Sequence, residues 1–376
     1  MLQATGITDR AQHLQVTIAP LQTTDAIESE WTQLQARVCH PVFLDWLWIG
    51  QVLAQAPDAP LVIRVTDGQM LCGLALAWCR RERRHGLLHS TVAYLNQTGL
   101  PNHDQVWIEY NGLLGDDARG SLLQLATGAL LDGGFCDEVH LSMLPATPGE
   151  ALLQTRPHAR CQYPVVGHLC DLGQARDRNQ RMIDSFSSNT RHQLRRSRKR
   201  LEARYGAARL EPAQSVEQAL AFFDEAGHWH RQRWPDSGFA NPVFVEFHRG
   251  LIKRGLDHGS VSLFRLCFGD QVLGVFYFLL HDGCASFYLQ GVREEADGKS
   301  KPGLTAHWLL MEHFLDQGMN VYDFMGGDSQ YKRQLANARQ DFVTLRVHNG
   351  DGRFRVEDGL RRLRQRLRRT SDASDQ

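Results

Sequence analysis

The residues best able to do chemistry lie between 287 and 335. FYLQGV (287–292) runs into REEADGKSKPG and then a helix beginning at Leu304. A loop entering a helix leaves backbone N–H groups without partners, and the helix dipole adds partial positive charge, so an anionic phosphate is stabilised there. Lys299 and Lys301 stand beside that point. KSKPG also reads as a plain turn in which Pro302 starts the helix. Downstream, Asp323 ends an apolar strand and Asp328 follows Gly326-Gly327, where a carboxylate can face a cleft or cap the helix predicted over Gln330 to Ala336. Tyr331 falls one helical turn in, where an aromatic can pack. Lys332, on an adjacent face, can pair with Asp328, contact an acidic acceptor or remain solvated.

Two further stretches concentrate polar groups. In HWHRQRW (228–234), His228 and His230 flank Trp229, but a metal site needs a third and fourth ligand and no other is evident, so no metal is expected. The apolar residues of this helix pack in a core and the polar ones line a cleft. RHQLRRSRKRLEAR (191–204) is a solvated, docked helix or a binding face for an anionic substrate, a nucleotide-linked sugar, a lipid-linked phosphate or tRNA. His307 and His313 are expected on an ordinary amphipathic surface.

An internal repeat supplies the elements that must position these groups. LVIRVTDGQMLCGLALAW (61–78) and VSLFRLCFGDQVLGVFYFLL (261–280) each form two apolar runs about a Gly-containing turn, with Gly73 and Gly274 near the middle of the second run. Turn chemistry and β-branched content make both hairpins. Residues 120–144 parallel 303–327: Gly, amphipathic helix, Leu-Asp-x-Gly, short strand. The shared Gly predicts a left-handed helix cap. Between the units, 175–204 and 215–234 read as helical, and a strand is expected at Asp341 to Val347.

The chain has 376 residues, 42% hydrophobic and 22% charged, enough for two cores. No apolar run spans a bilayer and the start lacks a basic-then-apolar signal, so a cytoplasmic protein is expected. The eight Cys are scattered without a C-x-x-C pair, which fits reduced structural thiols. Net charge is zero, yet Arg crowds 191–204 and 361–369. The second run carries Leu360, Leu363 and Leu367 on one thin stripe that can lie on an anionic membrane surface, peripheral to its inner face. TSDASDQ reads as a disordered tail.

HWHRQRWPDSGFANP (228–242), FYLQGV, SKPGLTAHWLL (300–310) and YDFMGGDSQYKRQL (322–335) together resemble the GNAT acyltransferase superfamily. The branch they resemble is the one associated with cellulose biosynthesis (CelD/BcsL type), related to the Fem aminoacyl transferases. SSNTRHQLRRSRKRLE (187–202) is also typical of it. The resemblance covers residues 185 to 345 and implies an α/β fold of mixed sheets, two GNAT-like domains in tandem, the first degenerate. The implied division is 1–172, a catalytic 173–350, and a basic helix and tail at 351–376.

It also implies roles. Acyl-CoA is the donor, held by the backbone of Leu289, Gln290, Gly291 and Val292 and by Lys301, Gly303, Leu304 and Thr305 at the helix start. Tyr331 would protonate the departing thiolate, with Asp328 or Asp323 as base. Arg191, Arg195, His230, Trp234 and Lys332 would meet the acceptor, an amine or hydroxyl on a sugar or cell-envelope precursor. The phosphate loop departs from the common pattern, since SKPGLTA keeps only one glycine, Gly303. Two alternatives remain open: an aminoacyl-tRNA-dependent transferase, and a non-enzymatic module of a polysaccharide-synthesis complex.

Overall fold

A computed structural model describes residues 13–84 and 88–352, with 354, 356 and 357 beyond them. The basic helix and tail expected past residue 351, and the membrane contact assigned to them, lie essentially outside the described residues. The first part of the chain forms β1 (Leu14–Pro20), α1 (Thr24–Gln35), α2 (Trp46–Gln55), β2 (Leu61–Asp67), β3 (Met70–Arg84), β4 (Leu88–Leu95), α3 (Pro101–Asp104), β5 (Leu114–Gly115), α4 (Ser121–Asp132), β6 (Glu138–Pro145), α5 (Ala146–Thr155) and β7 (Ala159–Asp171). The second forms α6 (Leu172–Asp177), α7 (Met182–Ser185), α8 (Ser188–Tyr205), β8 (Ala208–Pro212), α9 (Val216–Arg233), α10 (Pro242–Gly255), β9 (Val261–Phe268), β10 (Gln271–His281), β11 (Cys284–Val292), α11 (Pro302–Asp316), β12 (Val321–Gly326), α12 (Gln330–Leu335) and β13 (Ala338–His348).

The strands join in one sheet in the order β1-β2-β3-β4-β6-β13-β7-β12-β11-β10-β9-β8. Read from the two edges inward, the order is the same in both parts. The expected duplication is visible in detail. Each hairpin carries a bulge just before its glycine, at Cys72 before Gly73 and at Leu273 before Gly274. Each repeated helix ends in a left-handed glycine, Gly134 at φ 71 and Gly318 at φ 82, with Phe135 N–H reaching back to Leu130 and Met319 N–H to Phe314.

The centre of the sheet was not foreseen. β7 follows β6 in sequence but pairs with β12, while β13 follows β12 but pairs with β6, so each part lends its last strand to the other's sheet. β7 and β13 pair with each other between them. The helical stretch expected over 175–204 also differs: it is three helices, because Asn179 takes a left-handed turn and Ser187 caps a new start by accepting from Thr190 N–H.

Side chains alternate across the sheet with period two. Along β10, Val275, Tyr277 and Leu279 enter a core shared with α1, α2, α9 and α10, whereas Phe276 and Phe278 enter one covered by α8 and α11. The shared core joins both parts, with Trp48 of α2 edge-on to Phe247 of α10 at 4.9 Å. All eight cysteines are free, and no helix among the described residues is long and apolar enough to cross a membrane.

Candidate active site

β11 and β12 run parallel but pair only from Cys284 to Ser286. Beyond that, β11 stays bonded to β10 as far as Val292, and its other edge opens. Two adjoining cavities, of about 360 and 430 Å³, occupy the opening and share Arg233, Gln290, Val292 and Tyr331. The first is bounded by Lys301, Pro302, Gly303 and Leu304 at the start of α11, with Arg293, Glu294, Glu295 and His307. The second is bounded by Trp229, His230 and Trp234 on one side and Gly327, Asp328, Ser329 and Lys332 on the other.

Of the residues expected to hold a donor, Gln290, Val292, Lys301, Gly303 and Leu304 therefore meet in one cavity. The others behave differently. The Leu289 side chain is buried in the core, leaving only its backbone for such a role. Gly291 does serve a close approach, but its neighbour is α9: a Cβ there would stand 2.2 Å from the Ala226 carbonyl oxygen. Thr305 is fully buried, its hydroxyl 2.9 Å from Ser197 of α8 and donating to the Lys301 carbonyl at 3.0 Å. It fixes the helix start rather than lining the cleft. Ser197 also accepts from Lys301 N–H at 2.9 Å, so α8 holds α11 in place.

No side chain caps α11. Its counterpart α4 is the opposite case, because Asp117 accepts from Leu122 N–H at 2.8 Å and Leu123 N–H at 2.9 Å. A carboxylate of the chain thus fills the anion position in the first unit. The matching gap between β4 and β6 is filled as well, by Asn96 and Asn111, whose side chains bond each other, the Leu76 N–H and the Gly112 and Leu95 carbonyls. In the first unit both the gap between the strands and the backbone N–H groups at the helix start are thus taken up by the chain's own side chains, while a cavity of about 1040 Å³ lies beside that start, bounded by Asp116, Arg119, Ser121 and Leu122.

Tyr331 stands where the cavities meet, and burial raises its phenol to about 12, so it keeps its proton at neutral pH. Asp328 does not cap α12, whose N-cap is Ser329. Its carboxylate lies 3.0 Å from His168 Nε2 and accepts from Arg333 at 2.7 Å, and these partners hold it below its usual range. That suits orienting a ligand better than abstracting a proton. Lys332 pairs with neither Asp328 nor solvent: it is buried and donates to the Gly326 carbonyl at 2.6 Å, with burial lowering its pKa. Asp323 is buried beneath the cleft, accepting from Tyr110 at 2.5 Å and Met325 N–H at 2.7 Å. It braces a bulge in β12 where Met325 takes φ 62. Arg191 donates to the Phe186 carbonyl and Arg195 lies 3.9 Å from Asp184, both on α8 and away from the two cavities.

Some site residues were missed. His307 is not on a surface but buried, with Nδ1 2.7 Å from the Tyr322 hydroxyl and Nε2 without a partner at the first cavity. Its burial lowers its pKa to about 3, so the ring is neutral. Glu109, from the first unit, accepts from Gly326 N–H at 2.7 Å. Nothing in WIEYNGLL marks it, because its partner is 217 residues away.

Residues 188–333 match the family model described as the acetyltransferase (GNAT) domain. No curated protein matches the chain in sequence. Among solved structures, FemX is similar over 86% of this chain and 96% of its own, at 12% identity and a TM-score of 0.56. L-PGS from Bacillus licheniformis is similar over 86% and 92%, at 12% identity and a TM-score of 0.53. A C-terminal domain provisionally assigned to a lysylphosphatidylglycerol synthetase from Agrobacterium fabrum is similar over 87% and 93%, at 13% and 0.54. The chain thus folds as two GNAT-like units in tandem, and every residue lining the two cavities falls within the segment that matches the acetyltransferase (GNAT) domain.

Proposed function

We propose that this protein is an acyltransferase that moves an acyl group from acyl-CoA to an amine or hydroxyl of a sugar or cell-envelope precursor. The observation that carries the reading is a convergence of unpartnered buried polar atoms. Gln290 Oε1 and His307 Nε2 have no hydrogen-bond partner, and both residues line the first of the two cavities that Tyr331 joins. Leaving such groups unpaired costs about 1 to 3 kcal/mol each, which a polar ligand recovers. The uncapped start of α11, with Lys301 and Arg233 beside it, suits the phosphates of the donor. Gly303, whose Cβ position is 3.7 Å from its nearest neighbours, leaves that helix start open.

In this reading the donor lies along the free edge of Leu289 to Val292 and the acceptor enters past His230 and Trp234. The acceptor nitrogen or oxygen attacks the thioester carbonyl, a backbone N–H of β11 stabilises the oxyanion, and the C–S bond breaks. Tyr331 gives its proton to the thiolate. Asp328 orients the acceptor by accepting its hydrogen bond, and the proton shed after attack passes to solvent through the open second cavity. The acceptor class rests on the resemblance to the cellulose-biosynthesis branch.

A second reading, transfer from aminoacyl-tRNA, is favoured by the likeness in fold to FemX and by the outward arginines of α8. A thermal-shift screen with acetyl-CoA, longer acyl-CoAs, free CoA and tRNA separates the two. A ligand at a hundred times its Kd adds about 2.7 kcal/mol to the native state. Stabilisation by CoA compounds that Gly303→Glu abolishes supports the first reading. Stabilisation by tRNA alone, falling steeply with salt, selects the second.

A further inference from the structure

About seven residues along β10 from Gly274, hence roughly 23 Å from the donor cavity at about 3.3 Å per residue, the two units meet at a second polar cluster. His40 and Asp45 come from the loop between α1 and α2, and His281 is the last residue of β10. Nothing in their spacing along the chain suggests a site. Each offers one ligating atom, and those atoms lie within 4.8 Å of one another. The His40 and His281 rings are 4.4 Å apart at 52°, and His40 Nε2 is 3.4 Å from Asp45 Oδ2.

What distinguishes this cluster from a casual one is how its other polar atoms are used. His40 Nδ1 lies 3.1 Å from the Val38 carbonyl, which holds a proton on Nδ1 and makes Nε2, facing Asp45 Oδ2, the nitrogen that a metal ion would take in exchange for any proton there. Asp45 Oδ1 accepts from Leu47 N–H at 2.7 Å as the cap of α2, leaving Oδ2 directed at the imidazole. His281 is held at the mouth of a tight turn, with Asp282 at φ 44 and Gly283 at φ 71. The charges that act on the three are their own and that of Asp282. Once ligation has displaced any imidazole proton the cluster is negative, as a cation site requires.

We propose that His40, Asp45 and His281 bind one divalent transition-metal ion, Zn²⁺ in the first place, as a clamp between the two units. Two imidazoles and one carboxylate favour such an ion over Mg²⁺ or Ca²⁺, which take oxygen ligands. Tetrahedral Zn²⁺ needs Zn–N near 2.0 to 2.1 Å, so the three side chains draw in by small rotations, and water completes the shell. The distance from Tyr331 makes the ion structural. It ties the α1–α2 loop to the β10–β11 turn, a pair of segments that are otherwise remote in sequence.

The test is a titration of the full, untagged chain, treated with chelator, with Zn²⁺, Co²⁺ and Mg²⁺ by calorimetry and thermal denaturation. One equivalent of Zn²⁺ should bind and raise the unfolding temperature, Co²⁺ should show the visible bands of a low-coordinate site, and Mg²⁺ should do nothing. His281→Gln should weaken Zn²⁺ binding at least tenfold. Asp45→Asn keeps the α2 cap, so the fold is retained while the carboxylate is lost, and it should weaken binding similarly. Absence of saturable binding at one equivalent overturns the proposal, as does binding that both variants leave unchanged.

Discussion

The ring of Tyr331 stacks on that of His307, with centroids 5.1 Å apart and planes 14° from parallel. The stack fixes the phenol at the boundary between the two cavities, and the neutral imidazole adds no charge that would acidify it. Tyr331→Phe keeps the ring and the stack and removes only the hydroxyl. We expect turnover to fall roughly 100-fold with acyl-CoA affinity little changed, read from kcat and KM separately. An equal change in KM would place the hydroxyl in binding instead.

Gly291 and Gly303 should respond in opposite ways to alanine. At Gly291 the new methyl meets the α9 backbone at 2.2 Å, so α9 must lift from β11. A loss of about 1 to 3 kcal/mol is expected from such overpacking. At Gly303 the nearest atoms are at ordinary contact distance, 3.7 Å, and Gly303→Ala should fold as the parent does. Denaturant titration of both variants measures the contrast.

Asp328→Asn should raise the acceptor KM more than it lowers kcat, because the carboxylate is committed to His168 and Arg333 and acts by orientation. Its effect on stability should be small, as for other exposed ion pairs. A loss of the acidic limb of the pH–rate profile would instead make Asp328 the base.

Burial raises the Glu109 carboxyl to about 7, opposed by its bond from Gly326 N–H and by Lys332. As pH rises from the ordinary 4.5 toward 7, the unfolded chain releases this proton first, so the group's contribution to stability is full below 4.5 and is lost through 7. Against Glu109→Gln, the parent should therefore lose up to about 3 kcal/mol across that window, less where Lys332 compensates. Unfolding free energies of both proteins at pH 4.5, 6 and 8 give the difference, and parallel curves would remove the ionisation from the account.

Asp117→Ala removes the carboxylate that closes the start of α4. A cost of about 1 kcal/mol is expected, and Asp117→Asn should recover most of it. Thermal denaturation decides, with equal losses in both variants pointing to charge rather than capping.

How much of this was legible beforehand follows the range of the interactions. The hairpins, their glycines, the left-handed ends at Gly134 and Gly318 and the start of α11 are set by neighbours within a few residues, so turn chemistry and periodicity revealed them. Tyr331, Asp328 and the loop before Gly303 lie within one contiguous stretch and could be grouped by eye. The exchange of β7 and β13 could not. A strand's partner depends on which edge is free once both sheets have formed, and nothing local distinguishes β6 from β12 as that edge. Glu109 bonding to Gly326, the Asn96–Asn111 filling of the first opening, and His40 facing His281 all join residues far apart in sequence. The burial of His307 is of the same kind, since a histidine on an amphipathic helix is neutral and enclosed only when strands and a second helix close over it. Local sequence specifies the repeated units and the run of groups at the second opening. Which of those groups face the cleft, and which charges are spent on holding the fold, is set by tertiary contacts, because both depend on free energies of burial and pairing that exist only after distant segments meet.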